Sequence, residues 1–477
     1  MPGPVTLILQ DAGPGLSTAC DTAMCRALVE LIDEAERDVS FALYGYRRQA
    51  EVVDALERAR ARGVRVRGVV DMGPDGTNPY DGTEAFIAQF GLHTDRAADL
   101  AVARRDAPPS AWRCPGLPER KGPPQCVALD VGDACVVGTL QAVETLEELG
   151  GIVHDKFFVI DGIRVWTGSA NLSDTCTGGY NANVVAVIDV PEIGAAYLAE
   201  FEQMWAGHFH RDKVAVRPRY IDLPGGGQIS AWFSPQNDVM DAAIIPAVRR
   251  AKTRIDVAAF FLTHTGLVRE FLAAHARGVA VTVVMDATGA SNEYSKHDVL
   301  RLAGIPVRVE DWGGKMHAKA MAIDDEIVVL GSMNFTSAGT RDNDENTLLI
   351  RDEAAARALR DWVTASYASI DPRWGQGRPD AESLLSRGSC SDGSDNDFDR
   401  MRDGDDPGCA PGAVLPSELV QLKRVPKGPG LVRGYVDGYR GRRYALPGSA
   451  GYDLIEDQGS VWFCSEADAK AAGYQPP

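Results

Sequence analysis

One pattern recurs in this chain with its internal spacing intact. The first copy runs through His154, Lys156, Asp161, Gly168, Ser169 and Asn171. The second runs through His317, Lys319, Asp324, Gly331, Ser332 and Asn334, offset by 163 residues. Chance does not reproduce so long a pattern, so the chain is built from two homologous halves. Alternate residues of a strand share one face, so each Lys projects beside its His.

Two histidines and two lysines suit the cleavage of a phosphodiester. The ester is anionic and resists attack by water, and a histidine nucleophile at phosphorus divides the displacement into two easier steps. A second histidine can protonate the departing alcohol and then take a proton from the incoming water. Lys156 and Lys319 can stabilise the charge that builds on the non-bridging oxygens. Ser169, Asn171, Ser332 and Asn334 can add neutral donors that bind the phosphate. Cationic side chains can do the electrostatic work of a metal, so catalysis needs no metal or other cofactor.

This is the duplicated H-x-K-x4-D signature followed by G-S-x-N, and on it the chain resembles the phospholipase D superfamily. The resemblance implies an α/β fold of two pseudo-twofold-related α/β/α sandwich halves with mixed sheets. It implies phosphodiester hydrolysis through a covalent phosphohistidine, with the catalytic motifs contributed by His154, Lys156, Asp161, His317, Lys319 and Asp324. Within that set it makes Asp161 and Asp324 structural or tuning groups. Glu345 falls where the family places a carboxylate that orients a catalytic imidazole, and the aligned residue of the first half is Asn183. Pairing with Glu345 would make His317 the more basic imidazole, whereas family precedent places the nucleophile in the N-terminal motif. The reading leans to His154 as nucleophile and leaves the assignment open.

The periodicity around the motifs gives the order of elements. A strand is expected at 5–9, a helix at 22–37, a strand at 39–44, a helix at 49–62 ended by Gly63, and a strand at 64–71. The same βαβ unit returns at 255–262, 267–277 and 279–286. The Arg-Gly-Val runs at 62–64 and 277–279 are offset by 215 residues, so the first half carries an insertion of about 50 residues within roughly 75–140. The expected division is a first half at 1–213, a second at 214–374, an acidic Cys-flanked linker at 375–415 and a small module at 416–477. The tail is similar to a zinc-binding accessory module of bacterial nucleases, but it has Ser449 where that family has Cys, and keeps Cys464. The aromatic residues Tyr44, Tyr46, Phe260 and Phe261 are expected in cores, Trp166 and Trp312 beside the cleft, and His208 and His210 at the surface of the join.

Composition narrows the partners. The net charge of −18 works against general attraction to a polyanion. A phospholipid headgroup ester is therefore the favoured substrate, with DNA or RNA as the alternative and phosphatidyl transfer as a third reading. No apolar run is long enough to span a membrane. Both motifs lie in one chain, so a monomer suffices for activity. The nine cysteines make no paired zinc pattern. Their placement points to local bridges such as Cys114–Cys126 and Cys390–Cys409, and so to a secreted or periplasmic protein, with scattered free thiols in a cytoplasmic one as the alternative. Between Cys390 and Cys409, the carboxylates of Asp395, Asp397, Asp399, Asp403 and Asp406 suit a structural calcium ion.

Overall fold

The computed structural model describes residues 3–73, 76–99, 125–131, 134–140, 151–292, 294–398 and 401–410, and parts of 432–476. The first half is a seven-stranded mixed sheet. Its strands are β1 (Val5–Gln10), β2 (Asp38–Leu43), β3 (Arg65–Val70), β4 (His93–Thr94), β5 (Lys156–Ile160), β6 (Arg164–Gly168) and β7 (Asn183–Asp189). Their spatial order is β1-β7-β6-β5-β2-β3-β4. The second half contributes β8 (Ile221–Asp222), β9 (Gln228–Ser234), β10 (Arg254–Ala259), β11 (Ala280–Met285), β12 (Val307–Val309), β13 (Lys319–Ile323), β14 (Ile327–Gly331) and β15 (Glu345–Arg351). Their order is β8-β9-β15-β14-β13-β10-β11-β12. The centres correspond: the motif hairpin β5–β6 matches β13–β14, and the parallel pair β2–β3 matches β10–β11.

Strict alternation along the motif strands explains the layering. Phe157, Val159 and Val165 point into one core, and Phe158, Ile160 and Trp166 into another. The first core is shared, because Ala320, Ala322, Leu348 and Ile350 of the second sheet fill it from the other side. The outer face of the first sheet is covered by α1 (Ala23–Asp33) and α2 (Ala50–Ala61). Their buried faces, such as Met24, Leu28, Leu31 and Ile32 on α1, repeat at helical spacing. The helices α3 (Pro191–Trp205) and α4 (Glu353–Ser369) send Tyr197, Phe201, Leu359 and Val363 into the shared core.

One element departs from the expected bounds, and close contacts fix the motif glycines. The first helix ends at Asp33, short of the expected residue 37, and the backbone N–H groups of Glu36, Arg37 and Asp38 donate instead to the Asp161 carboxylate. The motif glycines are fixed by close approach: a Cβ at Gly168 would lie 2.2 Å from the Val184 carbonyl oxygen, and one at Gly331 2.1 Å from that of Asn346.

The chain divides into two units, one of residues 1–98 with 151–421 and one of 99–150 with 422–477. The inserted segment and the tail, read from the sequence as separate features, thus group together. The second unit contains a hairpin of Gln125–Val131 and Ala134–Leu140, and a three-stranded sheet of Val432–Asp437, Gly441–Ala445 and Val461–Phe463. Cys114 and Cys464 lie outside the described residues. Disulfides join Cys390 to Cys409, as expected, and Cys20 to Cys25, a pair the spacing had not singled out. No helix among the described residues is long and apolar enough to cross a membrane.

Candidate active site

The two motifs meet through reciprocal backbone pairing. The His154 N–H donates to the carbonyl of Asp344 just before β15, at 2.9 Å. The His317 N–H donates to the carbonyl of Ala182 just before β7, also at 2.9 Å. Each motif histidine is therefore set against the start of the other half's strand, and the residue that follows reaches its ring. Glu345 places both carboxylate oxygens 2.8 Å from Nδ1 of His154. Asn183 places Oδ1 3.2 Å from Nδ1 of His317. The expected partnership is thereby corrected: Glu345 serves His154, not the His317 of its own half. Sequence spacing orders residues along a half, whereas the contact is made across the twofold.

The partners fix the tautomers. An acceptor on Nδ1 holds the proton there and leaves the lone pair on Nε2. Burial first, and then Lys156 and Lys319, push both imidazoles well below their ordinary pKa, so both are neutral near pH 7. Burial also lowers the lysines, Lys156 to about 8 and Lys319 to about 7. Each ammonium donates to the carbonyl of its own motif histidine at 2.6 Å. Each also lies against an aromatic ring, Lys156 5.6 Å from the centroid of Tyr44 and Lys319 4.8 Å from that of Phe260. Those rings contact His154 and His317 in turn. Tyr44 and Phe260, expected in the cores, are thus part of the site. Their position at the ends of β2 and β10, beside the motif strands, was the available signal.

The remaining motif residues divide by role. Ser169 donates to Asn183 Oδ1 at 2.8 Å and accepts from the Val184 N–H. Ser332 accepts from the Asn346 N–H at 2.9 Å. These hydroxyls brace the starts of β7 and β15, the strands that carry Asn183 and Glu345. Asn171 donates to the Tyr80 hydroxyl at 2.8 Å, and the side-chain oxygens of Asn171 and Asn334 are buried without a hydrogen-bond partner. Asp161 and Asp324 lie at the far ends of β5 and β13, about 20 Å of extended strand from their histidines. Asp161 accepts the N–H groups of Glu36, Arg37 and Asp38, and Asp324 those of Lys252, Thr253 and Arg254. Burial raises both carboxyls, but the backbone donors outweigh it and hold them below the ordinary range. They tie the turns that close the motif hairpins to the segments entering the neighbouring strands.

Other expectations shift as well. Trp166 is buried in the outer core and donates to the Met24 carbonyl at 3.0 Å, away from any cleft. Trp312 is partly buried against the shared core. His210 is buried, not superficial, and lies 3.1 Å from an Asp344 oxygen. Of the acidic loop, Asp397 and Asp406 join Glu382, with carboxylate oxygens within 4.8 Å of one another, a set of hard donors of the kind calcium takes. Asp403 instead accepts from the N–H groups of Asp392 and Gly393. Asp399 is outside the described residues.

A duplicated α/β chain that sets two histidines and two lysines face to face across a twofold defines a class of phosphodiester-cleaving enzyme. The profile of the family described as "Cardiolipin synthase, PLD-like domain" matches residues 28–205 and 244–366. The chain belongs to this family, within the phospholipase D superfamily. It is 30% identical over 156 residues to a phospholipase D of Rickettsia bellii, covering 32% of this chain and 77% of that one. It is 30% identical over 138 residues to the mitochondrial cardiolipin hydrolase of Xenopus tropicalis, covering 29% of this chain and 66% of the relative. The fold is similar to that of the phosphatidylserine synthase of Haemophilus influenzae, with a TM-score of 0.51, 13% identity, and coverage of 78% of this chain and 89% of the other.

Proposed function

We propose that the protein hydrolyses the headgroup phosphodiester of a phospholipid through a phosphohistidine on His154, with His317 as general acid and then general base. The observation that carries this assignment is the unequal pair of partners, a carboxylate at His154 and an amide at His317. As Nε2 of His154 bonds to phosphorus, positive charge develops on the ring, and an ionised Glu345 at Nδ1 stabilises it. Burial raises Glu345 to about 7, so its ionised form is available near neutral pH. Asn183 offers His317 only a dipole. The His317 imidazolium therefore gives up its proton readily to the oxygen that leaves phosphorus. In the second step neutral His317 takes a proton from water, whose oxygen attacks phosphorus and releases His154.

Charge balance supports the loading of His317. Two lysines and burial keep it neutral in the free site. A phosphodiester anion between Lys156 and Lys319 opposes their field and raises the imidazole toward its ordinary range. The lipid substrate is favoured by the net charge of −18 and by the names of the two curated relatives.

The test is a paired assay in EDTA with phospholipid vesicles and with single-stranded and duplex DNA. Lipid turnover is expected, with losses on the order of 10³-fold or more in both His154→Ala and His317→Ala. Cleavage of DNA in place of lipid would make the chain a nuclease of the same mechanism. Activity that survives both substitutions, or that needs added metal, would sink the phosphohistidine route.

A further inference from the structure

The two halves of the site are not supported alike. Before β7, the residue that pairs with the His317 segment is Ala182, which has no polar side chain. Before β15, the residue that pairs with the His154 segment is Asp344, whose carboxylate is fully buried. Its backbone makes two bonds to that segment, accepting from the His154 N–H and donating to the Ile152 carbonyl, each at 2.9 Å. Its side chain is held from the other direction by the stretch that joins the halves. One oxygen lies 2.7 Å from Nζ of Lys213 and accepts the His210 N–H at 2.9 Å. The other lies 3.1 Å from Nδ1 of His210. Lys213 is itself fully buried and also pairs with buried Glu200 of α3.

A buried ammonium is costly unless paired, and a buried carboxylate likewise, so this knot tolerates little displacement. Burial alone would raise the Asp344 carboxyl, but Lys213 and His210 hold it below its ordinary range. Asp344 cannot shift without stripping Lys213 of a partner. The next residue is Glu345, whose carboxylate sets the tautomer of His154.

We infer that Lys213 and His210 are positioning residues for the reaction: they pin Asp344, and through it the register between Glu345 and His154 across the two halves. The inference rests on the reading of His154 as the nucleophile oriented by Glu345. It explains why the knot exists on one side of the twofold only. The nucleophile must meet phosphorus along one line, whereas an acid passes its proton over a broader set of geometries.

The experiment uses the full chain and a soluble probe, bis(p-nitrophenyl) phosphate, with kcat and KM measured per folded molecule from thermal melts. Lys213→Met is expected to lower kcat by on the order of 10²-fold while KM stays within about twofold, because misplacement of a reacting group costs rate rather than affinity. Lys213→Arg, which keeps the charge, is expected to recover most of the rate. In a Glu345→Gln background, Lys213→Met should cost no more than about twofold, since the group it positions is already disabled. A Lys213→Met loss that only tracks the folded fraction, or that multiplies in full with Glu345→Gln, would overturn the inference. Should Lys213→Met fail to fold, Lys213→Met with Glu200→Gln removes the buried ammonium and one of its two carboxylate partners together, and full kcat in that protein would overturn it equally. A Glu345→Gln protein with unchanged kcat is a different result. It would refute the assignment of His154 and Glu345 rather than the role of the knot.

Discussion

Lys319 holds two incompatible positions at once, an ammonium needed for charge stabilisation and a fully buried side chain. Burial, and then Lys156, lower it from 10.5 to about 7, so between pH 7 and pH 10 the unfolded chain binds a proton that the folded chain does not. Stability rises with pH wherever the unfolded state binds more protons, so this residue makes the protein more stable at pH 9 than at pH 7. Lys319→Met is expected to remove that slope and to stabilise the fold at pH 7 by about 1 kcal/mol, a gain of the size usual for relieving strain at a functional site. The same substitution should abolish turnover, because it removes a cation from the reacting phosphate. Urea midpoints at the two pH values, with and without the substitution, decide the matter. Equal slopes in both proteins would mean that Lys319 is solvated and ordinary.

At the scale of elements, the motif aspartates make the clearest prediction. Asp161 and Asp324 each have φ near +55° at the turn that closes the motif hairpin, and each gathers three backbone N–H groups from the segment entering the neighbouring strand. Asp161→Ala and Asp324→Ala should each destabilise the protein by about 1–2 kcal/mol, as loss of a cap does, and leave kcat per folded molecule unchanged. A large loss of kcat with an unshifted urea midpoint would return them to the chemistry. The strands and helices around these turns were legible because their apolar period is strong: β2, β3 and β11 fall within a residue of the sequence reading, and β10 starts within one but ends three residues early. The motif histidines and lysines were legible because they repeat. What escaped the sequence was every relation across the twofold. Glu345 was visible as a carboxylate at the right spacing, yet no spacing says which half's histidine it faces. Asp344, Lys213 and His210 carry no repeat at all, since the other half has Ala182 in the corresponding place. Tyr44 and Phe260 were read as packing residues because an aromatic at a strand end looks the same in sequence whether it meets a core or a catalytic imidazole.

For the whole molecule, the decisive fact is that all the groups of the site lie in the unit of residues 1–98 and 151–421. The other unit is assembled from two stretches that are remote in sequence, which is why the insertion and the tail could not be joined by reading along the chain. The two ends left by removing 99–150 are close in space: the Val153 N–H lies 3.3 Å from an Asp95 oxygen and 2.9 Å from one of Asp71. A flexible linker of about six residues spans roughly 13 Å on average, enough to reconnect them. A protein with 99–150 replaced by such a linker and the chain ended at 421 is expected to fold, because the residues described in its three apolar cores come from the retained stretches on both sides of the cut. It should hydrolyse bis(p-nitrophenyl) phosphate at a rate within a few-fold of the full chain, since the His154–Glu345 and His317–Asn183 pairs are kept whole. Turnover of vesicle lipid, measured beside it, then reports what the second unit adds. Equal loss on both substrates would make that unit part of the catalytic fold, whereas loss confined to vesicles would make it the part that recognises the lipid surface.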